Sequence, residues 1–301
     1  MDADIVVVGS LNHDLTVVTP HHPRPGETVL GTRHYSDNGG KGANQAVAAA
    51  RLGGDVALIG RVGDDIHGRT LIAALAEEGV LVEGIGIDED APTGLAVITV
   101  DAEAENTIVV SPGANSRLGQ QHIEARHESI ASARVLLTQL EVPVDVVAAA
   151  VLLAEGLVCL NPAPAAHLPP SILSRVDVLV PNRSELAALV GVSEPVTPHQ
   201  VAEAAARLDT DASVVVTLGA DGALLIADGI TTHVPAPEVD AVDPTGAGDA
   251  FCGALAEALS RDLGLGAAVE RAVAAGALAT TAPGAQGAMP SAHQLERLLN
   301  N

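Results

Sequence analysis

The sequence predicts an α/β fold, a three-layer α/β/α sandwich with a mostly parallel central sheet and a second, smaller β-sheet. Short apolar runs alternate with helical patterns along most of the chain, and this alternation is typical of a parallel sheet covered by helices on both faces. Two regions break the alternation with the polar-apolar pattern of half-exposed strands. Hydrophobic residues make up 48% of the 301 residues, which indicates a chain able to bury a full core.

The central strands are predicted from short apolar runs, and the helices from longer segments with helical periodicity. The predicted strands are Ile5–Gly9, Val56–Ile59, Val135–Leu137, Leu157–Leu160, Val176–Val180 and Ser213–Leu218. The predicted helices are Ala43–Leu52, Gly68–Glu78, Gly119–Ile130, Val144–Leu153, Ser184–Val190, Pro198–Leu208, Ala247–Leu259, Leu265–Thr281 and Ala292–Leu299. The last three follow one another in series, so the alternation ends before the C-terminal part of the chain.

Four further segments are predicted to form the small sheet. Asp14–Val18 and Thr28–Tyr35 lie on either side of the turn-rich segment His21–Gly26, which contains two prolines. Gly94–Asp101 and Asn106–Val110 flank Ala102–Glu105 in a hairpin pattern. We expect this sheet to be either a lid over a binding site or an ordinary extension of the sheet edge.

The small sheet is not expected to be a separate domain. Its strands come from about residues 12–37 and 92–111, inside what we expect to be a single α/β domain of residues 1–301. No internal repeat and no low-complexity tail interrupts this organisation.

Charge and aromatic content exclude several classes of partner. The formal net charge is −23, and 1% of the residues are aromatic. A chain this acidic repels phosphate polyanions and acidic membranes, and it lacks the aromatic side chains on which single-stranded nucleic acid stacks. Neither nucleic acid nor a membrane surface is therefore expected as a partner.

The excess of acidic residues has two explanations that composition leaves open. The chain has 38 Asp and Glu against 15 Lys and Arg, and Lys41 is its one lysine. A surface of this kind is typical of proteins that work in high salt, where screening shortens the reach of self-repulsion. A GC-rich genome that favours Ala, Arg, Asp and Gly is the alternative.

The cysteines and the N-terminus favour a cytoplasmic protein. Cys159 and Cys252 are far apart and form no CxxC pair, so neither a disulfide framework nor a zinc site is expected. The first residues, Met1–Asp4, lack the basic region of a signal peptide. No apolar run approaches the ~18 residues of a membrane span.

The single lysine lies in a glycine cluster, Asn38–Asn44. Glycine lets a backbone approach a ligand closely because it has no Cβ, and a lysine there is a compact positive charge suited to a phosphate. A surface lysine beside a tight turn is the alternative. The cluster is not a Walker A loop, because Gly42 follows Lys41, and Gly9–Asn12 does not match the GxGxxG pattern of a dinucleotide site.

A second segment of small residues, Asp243–Asp249, precedes a predicted helix. Small residues at a helix start leave the first backbone N–H groups uncovered, and these donors together with the helix dipole form an anion site. Asp249 is then expected in the first turn, where it can take the proton of a hydroxyl that attacks a phosphoryl group. Alternatively, it is a carboxylate that satisfies the free donors of the helix start.

These segments resemble the ribokinase-like (PfkB) family of carbohydrate kinases. Gly39–Ala46 resembles the first long signature of the family, and Asp243–Asp249 resembles the second. Pro181–Glu185 is similar to the NxxE motif of the family, and Thr217–Gly222 to its nucleotide-binding TLGxxG motif. The likeness extends over almost the whole chain in the family's order, and it implies the ribokinase-like fold with a β-sheet lid.

Within the family, the chain is most similar to the members that phosphorylate ribose. Gly9–Asp14 resembles their opening GSxNxD. For Asn12 and Asp14, Asx-turn chemistry after a strand is the alternative to sugar binding. The substrate-binding residues that the resemblance implies are Asn12, Asp14, Gly39, Gly40, Lys41, Asn44, Glu141 and Asp249.

The resemblance also implies the residues of phosphoryl transfer. Asp249 would be the catalytic base, and the backbone amides of Gly246, Ala247 and Gly248 would form the anion hole. Lys41 would lie near the ATP phosphates, and the adenine near the predicted helix at 265–281. The implied nucleotide-binding residues are Asn182, Thr217, Leu218, Gly219, Gly222 and Gly248.

Two metal ions are implied in the same way. Asn182 and Glu185 would organise Mg²⁺ indirectly, although their spacing also fits a capping box at a helix start. Ala288 stands where the family often has a serine that reaches a potassium ion, which is a departure from the pattern. The implied potassium ligands are Asp243, Thr245, Ala279 and Gly284.

The expected function is therefore ATP-dependent phosphorylation of D-ribose at the 5-hydroxyl, by a homodimer formed through the lid. The alternative is a kinase of the same family for 2-keto-3-deoxygluconate, fructose, deoxyribose or adenosine. Arg24 or Arg33 could bind the carboxylate of a sugar acid, whereas a nucleoside base usually needs aromatic residues that this chain lacks. A catalytically inactive sugar-binding regulator would be expected to lose Asp249 or the glycines, and both are present.

Overall fold

The computed structural model describes residues 2–103 and 105–300. The predicted single domain of residues 1–301 and the predicted hairpin loop therefore include Met1, Ala104 and Asn301, which lie outside the described residues. No helix within the described ranges is long and apolar enough to cross a membrane.

The described residues form the following strands and helices. The strands are β1 (Ile5–Val8), β2 (Asn12–Val18), β3 (Arg33–Gly39), β4 (Val56–Gly63), β5 (Leu81–Asp88), β6 (Gly94–Val100), β7 (Asn106–Ser111), β8 (Val135–Thr138), β9 (Leu157–Leu160), β10 (Val178–Leu179), β11 (Ser213–Thr217), β12 (Ala223–Ala227) and β13 (Ile230–Val234). The helices are α1 (Lys41–Arg51), α2 (Ile66–Glu77), α3 (Gln120–Glu124), α4 (His127–Ser132), α5 (Val144–Leu153), α6 (Pro170–Leu173), α7 (Arg183–Val190), α8 (Pro198–Ala205), α9 (Ala247–Ser260), α10 (Leu265–Ala279) and α11 (Ala292–Leu299).

The central sheet is mostly parallel, as predicted. Its strand order is β13-β12-β11-β10-β9-β8-β1-β4-β5. All pairs from β11 to β5 are parallel, whereas β12 and β13 extend one edge as antiparallel strands. The parallel strands therefore end at the same edge of the sheet, which is where ligands bind in open α/β folds.

Helices cover both faces of the sheet because the central strands send apolar side chains to both sides. In β1, Ile5 and Val7 belong to the core formed with α1, α9 and α10, whereas Val6 and Val8 belong to the core formed with α5. A smaller cluster packs α7 and α8 against β11 and β12. Burial on both faces explains why such strands appear in the sequence as continuous apolar runs.

The four segments predicted to form a small sheet do form one, in the order β3-β2-β6-β7, and we call this sheet the lid. β2 pairs antiparallel with β3 and parallel with β6, and β6 and β7 form the predicted hairpin. In this register Asp14 is flanked by Asp37 on β3 and Ala96 on β6. Tyr35 on β3 is partly exposed, with the guanidinium carbon of Arg33 5.8 Å from the centre of its ring.

Most predicted elements differ from the structure by a few residues at their ends, and three differ more strongly. The strand predicted at Thr28–Tyr35 runs from Arg33 to Gly39, because only those residues pair with β2 while the preceding ones lie in exposed turns. Val176–Val180 contributes two residues as β10. The helix predicted at Gly119–Ile130 is divided into α3 and α4, since the backbone of Arg126 leaves the helical region at φ −120°.

The sequence analysis missed β5, β12 and β13. All three lie at or next to the two edges of the central sheet. β5 contains two glycines and is half-buried along most of its length, and four of the five residues of β13 are exposed. β5 and β13 therefore lack the continuous apolar run that marks a strand buried on both faces, whereas β12 is such a run, Ala223–Ala227, and was overlooked.

Candidate active site

The residues that follow three parallel strands meet the N-terminal half of α1. Ser10 follows β1 and accepts a hydrogen bond from the Gly42 N–H at 3.4 Å. Gln139 follows β8 and Asn161 follows β9, and both are hydrogen-bonded to the Gln45 side chain. The carboxyl edge of the sheet and the start of α1 thus form one polar cleft.

The start of α1 lies close to the turn that leaves β1. Gly40 has φ +89°, and a Cβ there would lie 2.7 Å from the Asn12 backbone nitrogen and 2.8 Å from the Ser10 carbonyl oxygen. A Cβ at Gly39 would overlap the carboxylate of Asp14. The two predicted glycines therefore make room for the polar groups of the cleft, and Lys41 follows as the first residue of α1.

Asp249 lies in the first turn of α9, as predicted, and is 8% exposed. Two amides from α1 hold its carboxylate: Asn44 Nδ2 donates to Oδ2 at 2.9 Å, and Gln45 Nε2 donates to Oδ1 at 3.0 Å. The helix is capped instead by the Gly246 backbone, without a side-chain cap. Since a carboxylate oxygen accepts more than one hydrogen bond, Asp249 can also accept the proton of a hydroxyl.

A carboxyl cluster surrounds the sugar-binding residues that the resemblance implies. Burial, together with the nearby carboxylates of Glu141, Asp37 and Asp249, raises the pKa of Asp14 to about 7. The Ser10 hydroxyl donates to Glu141 Oε2 at 2.6 Å, and the Lys41 N–H donates to the same oxygen at 3.1 Å. The cleft therefore collects negative charge from four separate segments of the chain.

Lys41 is the cation of this cleft. Burial alone would lower the pKa of Lys41, but the carboxylates of Asp249, Glu141 and Glu185 raise it above its ordinary value. The side chain is thus held in its charged form by groups that come from three different elements. Lys41 is partly buried rather than fully exposed.

The N-terminus of α9 presents backbone donors next to Asp249. Gly246 takes a left-handed conformation, with φ +77°. The Ala247 N–H donates to the Pro244 carbonyl oxygen at 3.2 Å. Among the described residues, the N–H groups of Gly246 and Gly248 have no acceptor. Two of the three predicted anion-hole amides are therefore available to a ligand in this conformation.

Asn182 and Glu185 form the capping box that the sequence left open as an alternative. Asn182 Oδ1 accepts from the Glu185 N–H, and Glu185 Oε2 accepts from the Asn182 N–H, both at 2.8 Å. Burial raises the pKa of Glu185, although the hydrogen bond from Asn182 and the charge of Lys41 oppose the rise. Capping holds the Glu185 side chain at the start of α7, within electrostatic reach of Lys41 and Asp249.

A cavity of about 1050 Å³ opens between β11, α9 and α10. Of the predicted nucleotide-binding residues, Thr217, Gly219, Gly222 and Gly248 line it. Leu218 does not line the cavity; its side chain packs in the core with α7 and α8. Asn182 is also outside the lining, but a β-bridge joins it to Thr217.

α10, the helix near which the adenine was expected, forms one wall of the cavity. Val273, Gly276 and Ala277 of α10 line it together with Phe251 of α9. The segment between β13 and α9 supplies another wall that the sequence analysis missed, including Glu238 and Asp240. A flat apolar group thus fits against α10, while carboxylates border the opposite side.

The residues implied as potassium ligands lie on two loops that the structure joins. Asp243 Oδ1 accepts from the Thr245 N–H and Asp243 Oδ2 from the Gly284 N–H, both at 2.9 Å. The Asp243 N–H donates to the Thr280 carbonyl oxygen, directly after Ala279. The four residues are therefore brought together, and a carboxylate with neighbouring carbonyl oxygens is a donor set that suits a hard cation.

Asp37 links the lid to one of these loops and was missed by the sequence analysis. Its carboxylate accepts from the Asn38 N–H at 2.8 Å and also from the Ala285 N–H. Burial nevertheless raises the pKa of Asp37 overall. A short acidic side chain on a half-exposed strand gave no sequence signal for this contact with the loop of Gly284.

Gln45 and Gln139 were also missed as site residues. Both are fully buried, and Gln139 Nε2 donates to Gln45 Oε1 at 2.6 Å. Gln45 is part of the segment that resembles the first family signature, directly after Asn44, which was the one available signal.

Comparison with known proteins gives a consistent result. The family model for pfkB family carbohydrate kinases matches residues 2–292. A ribokinase from Haemophilus influenzae is 38% identical over 307 residues, with 100% of both chains covered. A deoxyribokinase from Salmonella typhi is 37% identical, with 99% of both covered. The structure of Arabidopsis thaliana ribokinase complexed with ribose and ATP superposes with a TM-score of 0.92 at 30% identity, covering 100% of both chains.

The raised pKa of Asp14 predicts a pH-dependent cost to stability. The folded-state pKa is about 7 and the ordinary value is 3.8, so the folded chain binds more protons than the unfolded chain between these pH values. Stability therefore falls as the pH rises through this window. We expect Asp14→Asn to raise the free energy of unfolding by on the order of 2 kcal/mol at pH 8, and by clearly less at pH 5.

Urea denaturation at the two pH values measures this difference. Asp211→Asn is the matched control, because Asp211 is exposed on the surface and its replacement should change stability little at either pH. A stabilisation by Asp14→Asn that is equal at pH 5 and pH 8 would contradict the assigned shift.

Proposed function

This chain belongs to the pfkB family of carbohydrate kinases, and on that premise we propose that it transfers the γ-phosphoryl group of ATP to the 5-hydroxyl of D-ribose, giving ribose 5-phosphate and ADP. The observation that carries the proposal is the place of Asp249. It is a buried carboxylate, held by two amides, one residue after Gly248 in the wall of the large cavity. The full-length ribokinases among the relatives support ribose as the acceptor.

Asp249 is proposed to act as the general base. It takes the proton of the sugar 5-hydroxyl while the hydroxyl oxygen forms a bond to the γ-phosphorus and the bond to ADP breaks. The N–H groups of Gly246 and Gly248, at the positive end of α9, stabilise the charge on the transferring group. Ala247 joins this anion hole only if its N–H leaves the Pro244 oxygen.

Lys41 is proposed to contact the phosphates from the opposite side. Its pKa is raised by the surrounding carboxylates after the lowering by burial is overcome, so it remains a cation throughout the neutral pH range. A compact ammonium there offsets part of the repulsion between the acidic cleft and the polyphosphate. This placement explains why one lysine is found among the acidic residues of the cleft.

The sugar is proposed to bind between the lid and α1, next to Asn12, Asp14, Asn44 and Glu141. Asp14 Oδ1 and Asn44 Oδ1 are buried and have no hydrogen-bond partner within the described part of the chain. Buried acceptors without partners are costly and rare in folded proteins. Hydroxyl groups of a bound sugar would donate to both, with Gly39 and Gly40 keeping the space open.

ATP is proposed to occupy the large cavity. Thr217, Gly219 and Gly222 would contact the nucleotide along one wall, and the adenine would lie against α10. Leu218 would contribute only through its backbone, because its side chain is in the core. The triphosphate would then extend toward Gly248 and the base.

Mg²⁺ and K⁺ are proposed as cofactors. Asn182 and Glu185 would hold water molecules around Mg²⁺, which neutralises charge on the β- and γ-phosphates when bound. K⁺ would be held by Asp243 and by oxygens of Thr245, Ala279 and Gly284, beside the loop that begins α9. Ala288 has no hydroxyl to add, so this potassium site would rest on the Asp243 carboxylate and backbone oxygens.

Asp249→Ala should lower kcat by about 10²–10⁴, which is the usual contribution of a general base. Because Asp249 is proposed to act on the proton, the KM for ribose should change only a few-fold. Steady-state assays of ADP release measure both constants. Asp145→Ala is the matched control, since Asp145 is also an aspartate in the first turn of a helix but is exposed; a kcat of Asp249→Ala near wild type would refute the role.

A substrate panel separates ribose from the alternatives. ADP release is measured with ribose, deoxyribose, fructose, adenosine and 2-keto-3-deoxygluconate, each with and without K⁺, in low and in high salt, with NaCl in place of KCl in the arms without K⁺. We expect the highest kcat/KM with ribose and activation by K⁺. Deoxyribose is the second candidate because one full-length relative is a deoxyribokinase, and a higher kcat/KM with deoxyribose would decide for it.

The same panel tests the proposal that the acidic surface is an adaptation to high salt. The net charge of −23 should make the folded state more stable and active as salt screens the repulsion. An enzyme that keeps its fold and rate in low salt and loses them in molar KCl would contradict it.

A homodimer through the lid is proposed from its exposed apolar residues. Ile108, Val109 and Val110 on β7 are 54%, 71% and 44% exposed, and apolar surface of this kind typically marks an interaction site. Light scattering should therefore give about twice the chain mass of 30.2 kDa. A single-chain mass at micromolar concentration would argue against the dimer.

A further inference from the structure

Two buried glutamines lie behind Asp249 and have no part in the proposed reaction: Gln45 contacts Asp249, and Gln139 contacts Gln45. Gln45 and Gln139 are both 0% exposed, and neither reaches the nucleotide cavity. Gln45 Nε2 donates to Asp249 Oδ1 at 3.0 Å and to Asn161 Oδ1 at 3.3 Å, while its Oε1 accepts from Gln139 Nε2 at 2.6 Å. We call Gln139, Gln45 and Asn161 the amide chain.

The direction of every hydrogen bond in the amide chain is determined at one end. Asn161 Nδ2 donates to the Val180 carbonyl oxygen at 2.8 Å, and a backbone carbonyl can only accept. Asn161 must therefore present its Oδ1 to Gln45. Gln45 in turn must direct its Nε2 toward Asn161, and the same nitrogen then donates to Asp249.

Gln139 supports the same orientation from the other side. Gln45 Oε1 accepts from Gln139 Nε2. If the Gln45 amide were reversed, its nitrogen would face the Gln139 nitrogen and its oxygen would face the Asn161 oxygen. Gln139 is itself confined, because a Cβ at Gly9 would lie 2.2 Å from Gln139 Oε1. Gln139 Oε1 has no hydrogen-bond partner within residues 2–103 and 105–300. Its burial therefore lowers the stability of the fold, and the hydrogen bond that the Gln139 amide makes is the one from its Nε2 to Gln45.

We propose that Gln45 is a positioning residue for the base Asp249, and that the amide chain fixes the orientation in which Gln45 offers a donor rather than an acceptor. This inference rests on the proposed function. Asn44 holds Oδ2 of the carboxylate and also belongs to the proposed sugar site, whereas Gln45 holds Oδ1 from within the protein. Oδ1 is thereby fixed before any ligand binds, and Oδ2 remains the oxygen that faces the sugar hydroxyl.

Gln45→Met tests the donor, because methionine keeps the length and volume of the side chain but cannot donate to Asp249. A misplaced base slows the chemical step, so kcat should fall by about 10–100-fold, with the KM for ribose within about threefold of wild type. In the Asp249→Ala background the same substitution should cost nothing further, because the group that it positions is gone.

Gln139→Glu tests the orientation. In its ionised form the new carboxylate can only accept, so it should draw Gln45 Nε2 away from Asp249 and turn Gln45 Oε1 toward the base; kcat measured at alkaline pH, where the carboxylate is ionised, should fall by about 10-fold or more. Gln139→Met is its matched control: it removes the donor without imposing the reversal, and Asn161 still directs Gln45. Its kcat should fall clearly less than that of Gln139→Glu, and circular dichroism with urea denaturation checks the folding of all variants.

The outcomes separate this inference from the proposed function. If Asp249→Ala keeps a near wild-type rate, the proposed function fails first. If Asp249→Ala loses the rate but Gln45→Met does not, or if the two losses multiply in the double variant, the positioning role is overturned. Should Gln45→Met fail to fold, the comparison of Gln139→Glu with Gln139→Met decides alone, and equal effects of those two variants would overturn the proposal.

Discussion

The close contact between α1 and α9 is the constraint on which the site depends. A Cβ at Gly253 of α9 would lie 2.6 Å from the Ala48 Cβ and 2.6 Å from the Gln45 carbonyl oxygen of α1. Only at this separation can the short amide of Asn44 and the longer one of Gln45 both reach the carboxylate of Asp249. Asp249 lies more than 200 residues after both of them in the sequence. Two glycine-rich segments that are distant in sequence thus meet in one cleft around Asp249.

Electrostatics makes this site costly without its ligands. Asp14, Asp37, Glu141, Glu185 and Asp249 come from five different segments, and Lys41 is the cation among them. Burial, followed by the charges of Glu141, Asp37 and Asp249, raises the pKa of Asp14 to about 7. Strain of this kind is typical of functional sites, since a binding site is built to be complete only when occupied. Sugar hydroxyls, metal ions and the polyphosphate together would supply the donors and the positive charge that the protein does not provide.

The sequence predicted those features that are encoded locally. Central strands such as β1 are buried on both faces and show continuous apolar runs, whereas β5 and β13 lie at the sheet edges and show none. The capping box of Asn182 and Glu185 depends on four consecutive residues and was foreseen. The bond between Gln139 and Gln45 joins positions 94 residues apart, and the contact of Asp37 with Ala285 joins the lid to the C-terminal part of the chain. Neither pairing has a local pattern, so only the folded chain reveals them.

The scarcity of aromatic residues has an experimental consequence. The chain has no tryptophan and a single tyrosine, Tyr35, which lies on β3 of the lid with the Arg33 guanidinium over its ring. Phe251, the other aromatic residue, is in the wall of the large cavity and emits only weakly. Intrinsic ultraviolet emission of this protein therefore originates almost entirely from Tyr35, on the lid. The wild-type chain carries a natural optical reporter of lid position, which needs neither a label nor a substitution.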